Sequence, residues 1–236
     1  DATGASNEEP AMVHALPWGV REQLIQEKQA LGFFLSGHLF DESGAEVRQF
    51  VKTELKSLVD SRDPVLLAGM VSDIRTINGQ RGRLIIFRLD DKSASLEASL
   101  DEGLFNANRD SLKDDELVIV QAVPQPDRMS GGLRLRVQRV WNLPQARCRF
   151  GQHLRVEVQE RLPNLTQLVA QHNPKTERTE EGDRVVGLKV VLHVVRPEAE
   201  ADIALDERAM FYPTDAAIQG WRAQAHGQQA TVVYAS

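Results

Sequence analysis

VLLAGMVSDIRTI (65–77), RLIIFRL (83–89), SASLEASL (93–100), LVIVQAV (117–123) and LRLRVQRVW (133–141) are short apolar runs separated by turn residues. Asn78-Gly79, Asp90-Asp91 and Ser130-Gly131-Gly132 mark the turns, and the runs are rich in Val, Ile, Leu and Phe, as strands are. Between the third and fourth runs, GLFNANRDSLKDD is too polar and too long for a hairpin and suits a short helix. The predicted order over Pro64–Leu143 is strand, strand, strand, helix, strand, strand.

That order outlines an OB-fold, a small barrel whose helix plugs one end and whose common partners are single-stranded nucleic acids. Its ligand face is built from the second and third strands and the loops joining strands one to two and four to five. Here those loops are Thr76–Arg83 and Gln125–Gly132. Each combines glycines, which let backbone amides approach phosphates, with arginines, which pair with them. Arg75, Arg88, Arg134 and Arg136 add charge on neighbouring strands, and alternation in LRLRVQRV puts Leu133, Leu135 and Val137 inward. Acidic residues gather near the helix instead (Asp101, Glu102, Asp110, Asp114, Asp115, Glu116).

The same residues also fit a structural or protein-binding barrel, because outward arginines are commonly only solvated and hairpin glycines only turns. An aromatic stacking platform is missing. Phe87 is the one aromatic on the second strand, and its parity suits the core equally well. Any nucleic-acid binding is expected to be weak, salt-sensitive and indifferent to sequence.

Around the barrel, the expected organisation is a disordered linker (1–16), a helical connector (17–62), the barrel (63–143) and a small α+β domain (144–236). The fold class is thus mainly β plus α+β. A helix is predicted from Pro17 to Gly32, followed by the apolar cluster Phe33, Phe34, Leu35, Leu39 and Phe40, and a second helix over Glu42–Asp60. Pro144–Gln152 reads as a short basic connector. Beyond it lie strand His153–Val158, helix Leu162–His172, a charged loop NPKTERTEEGD, strand Val185–Val195, strand Ala201–Leu205 and an extended piece Ala209–Tyr212. Helix Thr214–Ala225 and strand Ala230–Tyr234 complete a β-α-β-β-α-β pattern.

Composition narrows the function. A net charge of −6 argues against wholesale wrapping of a nucleic acid while permitting a local basic stripe. No run of 18 apolar residues exists, so no transmembrane helix is expected, and DATGASNEEP carries no signal-peptide pattern. The first residue is Asp1 rather than Met, and this acidic start suggests a cut through a linker. Cys148 is the single cysteine and the six histidines lack ligand spacing, so a reducing cytoplasm and no metal or cofactor are expected. Asp90-Asp91 reads as a tight turn rather than a metal pair. Asp202, Asp206 and Glu207 read as a solvated strand end, and Gly37–Glu42 as a packed helix boundary rather than an acid–base pair. No catalytic constellation emerges.

EKQALGFFLSGHLFDE (27–42) resembles a signature of the bacterial replicative DNA polymerase III alpha subunit, with GHLFD standing where that family commonly has GHPLD. LAGMVSDIRTINGQRGR, FRLDDKSASLEA and SGGLRLRV are similar to the family's barrel and occur in its order, and the chain's end is similar to its C-terminal domain. The resemblance implies a non-catalytic C-terminal part of a DNA-directed DNA polymerase, with the palm and the main sliding-clamp motif upstream. It also implies single-stranded template contact through the barrel and a tether to the clamp-loader tau subunit through the last domain. The DNA-facing residues it implies are Asn78, Gln80, Arg81, Arg83 and Arg128; the partner-facing ones are Trp221, Arg222 and Tyr234. The alternative is a free-standing OB-fold module of repair or translation, binding nucleic acid or protein.

Overall fold

The structure, a computed structural model, describes residues 40–79, 82–127, 131–179 and 182–235. The expected helix from Pro17 and the cluster Phe33–Leu39 lie outside the described residues.

Strands β1 (Val65–Gly79), β2 (Gly82–Asp90), β3 (Ser95–Asp101), β4 (Leu117–Pro126) and β5 (Leu133–Trp141) close into a barrel in the order β1-β2-β3-β5-β4, with helix α2 (Glu102–Ala107) between β3 and β4. Closure depends on β1, whose first half pairs with β4 and whose second half pairs with β2. A bulge between Ser72 and Arg75, with Asp73 at a φ of 56°, bends the strand between its two partners. Gly69 sits at this crowded passage, where a Cβ would come within 2.7 Å of the Asp90 carbonyl oxygen. The β3–β5 seam is parallel and short; every other neighbouring pair is antiparallel. Inside, Leu67, Val71, Ile85, Phe87, Leu89, Val120 and Leu135 form the core, and Phe87 is a core residue at 1% exposure. Leu135 and Val137 point inward as the alternation in β5 requires.

The helix expected over Glu42–Asp60 is much shorter: α1 spans Phe40–Val47. Turns run on to Val51, where the amides of Arg48, Gln49, Phe50 and Val51 still donate to the carbonyls of Gly44, Glu46 and Val47, and the chain beyond them is held by a distant carboxylate. The Asp91 carboxylate, with its side chain at 1% exposure, accepts from the backbone N–H of Leu55 at 3.0 Å and from Arg48 Nη2 at 2.9 Å. Its other oxygen accepts from Ser93 N, Ser93 Oγ and Ala94 N, at 3.0, 2.6 and 3.2 Å, which closes the β2–β3 turn. One buried carboxylate thereby pins an extended segment to the barrel and drops Leu55 into the core.

Pro144–Gln152, expected as a connector, is mostly helix α3 (Leu143–Phe150). Asn142 and Gln145 form a reciprocal capping box at its start, with proline in the first turn. Helices α1 and α3 cover the outer side of β1 and β4, burying Phe40, Val47, Ala68, Met70, Ile119 and Ala146 together.

Beyond α3, strands β6 (Gly151–Val158), β9 (Val190–Arg196), β10 (Ala199–Ala204) and β11 (Ala230–Tyr234) form a sheet in the order β10-β9-β6-β11. Helices α4 (Leu165–Gln171) and α5 (Asp215–Gln224) bury Leu168, Ile218 and Trp221 against it. The expected charged loop is a hairpin, β7 (Lys175–Thr179) with β8 (Gly182–Val186). It forms without a core because paired backbones satisfy each other. The strand expected over Val185–Val195 breaks near Gly187, where a Cβ would lie 3.0 Å from Pro174 and 3.1 Å from the Phe211 carbonyl oxygen. Leu188 bridges to Phe211 there, which re-aims the chain before β9. Among the described residues no helix is long and apolar enough to cross a membrane.

Candidate nucleic-acid interface

Strand register assembles the outward side of β1, β2, β3 and β5. Arg88 lies opposite Glu97, and Glu97 lies opposite Arg134 across the parallel seam. In the adjoining row, Arg75 lies opposite Ile86, Ile86 opposite Ser99 and Ser99 opposite Arg136. Near the tip of the β1–β2 arm, Asn78 lies opposite Arg83 and both are exposed. Gln80, Arg81 and Arg128, expected to face DNA, lie outside the described residues.

The arginines of this face are not equivalent. Arg75 pairs with Glu97, Arg83 with Glu102 at 3.2 Å, and Arg88 donates to Ser95 Oγ at 3.3 Å. Arg134 and Arg136 are exposed and have no ion-pair partner among the described residues. They stand between two grooves. The first, about 800 Å³, runs beside Leu84, Ser99, Asp101 and Leu104; the second, about 670 Å³, runs beside Ser61, Arg62, Val123 and Pro126. A guanidinium without a carboxylate partner keeps its donors for an incoming anion, whereas one already paired must first give up that bond. Arg62, which no strand pattern could place, joins Arg134 and Arg136 at the second groove because the backbone N–H of Ser61 is anchored to the Pro124 carbonyl.

The residues expected to face a partner are placed differently. Trp221 is fully buried in the core of the terminal sheet, against Phe211 with ring centroids 5.5 Å apart. Tyr234 is also buried; its hydroxyl donates to Glu46 Oε1 at 2.6 Å and its ring stacks on Phe50. Burial follows from helical spacing in α5, where Ala217, Ile218 and Trp221 share the face turned to the sheet. Arg222 is half-buried and donates from Nε to the Ala230 carbonyl at 3.0 Å.

Two clusters went unforeseen. Arg147, read as part of a connector, is buried and donates to both oxygens of Glu46, to Asp215 and to the Pro213 carbonyl. The capping-box pair Asn142 and Gln145 was the signal that a helix would hold it. Asp202, read as part of a solvated strand end, has its Oδ1 2.7 Å from His193 Nδ1 on β9, and this contact holds its carboxyl below the usual range. The register Asp202↔His193 brings them together from nine residues apart. Asp206 instead accepts from Arg208 and caps its own turn.

Comparison with known proteins agrees with this architecture. Residues 65–143 match the OB-fold nucleic acid binding domain. Over 212 residues the chain is 31% identical to the DNA polymerase III subunit alpha of Pseudomonas fluorescens and 32% identical to that of Pseudomonas aeruginosa, covering 87% of this chain in each case. This chain is a relative of the DNA polymerase III alpha subunit. The resemblance read from Glu27–Glu42 and from the barrel stretches is thus borne out, and so is the barrel. The matched region spans 17% of the length of those alpha subunits. Among solved structures, the second OB-fold domain of replication protein A from Methanococcus maripaludis is similar in outline, at 14% identity and a TM-score of 0.31. It covers 39% of this chain and 93% of that one.

Proposed function

We propose that this alpha-subunit relative holds single-stranded DNA electrostatically on the outward side of its barrel, as the non-catalytic C-terminal part of a replicative polymerase in the bacterial cytoplasm. The observation that carries the reading is the pair Arg134 and Arg136, exposed on the crest between two grooves and without a carboxylate partner among the described residues. The match to an OB-fold nucleic acid binding domain supports it. Arg75, Arg83 and Arg88 contribute less, since each is already engaged.

No exposed aromatic lies on this face among the described residues, so affinity comes chiefly from phosphates and falls steeply with salt. Weak binding is sufficient where other contacts already hold a polymerase on its template, because the strand is then captured at high effective concentration. Parent-protein polymerase activity, a sliding-clamp contact upstream and a tether to the clamp-loader tau subunit rest on the resemblance alone. With Trp221 and Tyr234 buried, a tether through the terminal sheet would use other side chains on that sheet and its helices. The reading calls for no cofactor.

The test is fluorescence anisotropy of labelled oligo-dT against this chain at rising salt. Micromolar binding that fades steeply with salt supports the reading. Absence of binding even at low salt overturns it and leaves a structural barrel.

A further inference from the structure

The face that carries Arg134 and Arg136 also carries apolar surface that the barrel core does not use. Ile77 and Leu84 lie directly opposite each other on β1 and β2 and are 44% and 39% exposed. Both belong to the outward set: Ile85, Phe87 and Leu89 point into the barrel, so Leu84, Ile86 and Arg88 point out. Ile86 continues the strip from Leu84 and is covered, at 7% exposure, between Arg75 and Ser99. Leu84 lines the same groove of about 800 Å³ as Arg134 and Arg136.

Aliphatic side chains left open to water on a strand lose the free energy that burial would return, so an occupant that covers them gains it. Charge selects the occupant. Two arginines on the groove wall, without carboxylate partners among the described residues, favour a polyanionic backbone over an apolar peptide. The acid that lines this groove, Asp101, lies directly opposite Leu84 on β3 and is engaged as the cap of α2, accepting from the Leu104 N–H at 2.8 Å. A single strand supplies both complements, a flat apolar base and its phosphates, within one nucleotide.

We propose that Ile77 and Leu84 form an aliphatic platform on which a base of single-stranded DNA packs while Arg134 and Arg136 hold the neighbouring phosphates. This rests on the proposed function above and adds how the base is held. The platform does the work that aromatic side chains do in stronger single-strand binders, with less dispersion and no π-face. It contacts any base and selects none.

The test compares oligo-dT with an abasic strand of equal length and equal phosphate number, both titrated against the full chain by anisotropy. Oligo-dT should bind about 3- to 10-fold more tightly, which reaches only the low end of aromatic stacking. The double substitution Ile77→Thr/Leu84→Thr, which keeps good strand formers in the arm, should erase that preference. It should leave abasic-strand affinity and the salt slope unchanged. Leu84→Phe should widen the preference instead. Equal wild-type affinity for the two strands would overturn the platform while leaving the phosphate reading intact, as would a double variant that weakens both strands alike. Failure to bind either strand would remove the underlying reading itself.

Discussion

Arg147 on α3 donates from Nε and Nη2 to the two carboxylate oxygens of Glu46 on α1, at 2.8 Å each, across 101 residues of sequence. The Tyr234 hydroxyl reaches the same carboxylate from β11, and Asp215 at the start of α5 accepts from Arg147 Nη1 at 2.7 Å. One guanidinium therefore ties the helix packed on the barrel to the terminal sheet and its last helix. Burial alone would push the Glu46 carboxyl up, but the hydrogen bonds and charge of Arg147, with the Tyr234 hydroxyl, hold it below the usual value.

Removing one partner strands the other in a desolvated place. Arg147→Met should cost about 3 kcal/mol in urea denaturation, because Glu46 and Tyr234 remain without it. Combining it with Glu46→Leu should recover much of that loss, since an apolar pair has no unmet charge. A double variant as unstable as the single one would show that packing, rather than the stranded carboxylate, sets the cost.

Acid should weaken the fold through two carboxylates. Asp91 is pushed up by burial and more than brought back by Ser93, Arg48 and the Leu55 and Ala94 amides, so it too titrates below its ordinary value. Both groups have depressed folded-state values. The stability they contribute is present above their ordinary values of 4.5 and 3.8, and is lost as pH falls through the lower folded values. Asp91→Asn should cost about 1.5–3 kcal/mol at neutral pH and flatten the decline of stability below pH of about 4. An unaltered acid limb in urea titrations would remove Asp91 from this role.

Single-strand affinity should depend on which arginine is removed. Arg134→Ala/Arg136→Ala should lower the salt slope by about 1.4, at about 0.7 for each phosphate no longer neutralised. Arg75→Ala should change it less, because Glu97 already engages that guanidinium. Slopes that respond equally to both changes would show that the pairing of Arg75 does not persist in solution.

Cys148 should be chemically silent in the folded chain. Burial, reinforced by the Glu177 charge, pushes its thiol up to about 12 against the opposing charges of Lys175 and Arg147. At pH near 8 very little thiolate exists, so labelling by an alkylating reagent should be slow in buffer and fast in denaturant. Equal rates in the two conditions would contradict the burial.

Trp221→Ala should act through stability. The side chain is fully buried against Phe211, and its loss should cost about 3–5 kcal/mol. Its fluorescence should report unfolding of the terminal sheet. A variant of unchanged stability would place the indole at the surface after all.

The barrel was legible in sequence because each strand carries its own evidence. Alternation in LRLRVQRV and turn residues at Asn78-Gly79 and Asp90-Asp91 are local signals, and the observed strands follow them. Local periodicity also located the outward arginines. It overran α1, because the Val47, Val51, Leu55, Leu58 spacing suits a helix until a distant carboxylate captures the Leu55 amide. It misread the 173–183 segment, since a hairpin held by its own backbone needs no apolar pattern.

Sequence by itself therefore determined the strand order, the OB outline and the kinship with polymerase alpha subunits. Only the tertiary structure decided which of the described arginines lack carboxylate partners, that Trp221 and Tyr234 turn inward, and that Ile77 pairs with Leu84 at the edge of an open groove. Strand and helix tendencies are properties of neighbouring residues. Ion pairing and burial depend on which residues, tens of positions apart, share one desolvated place, and only chain closure sets that.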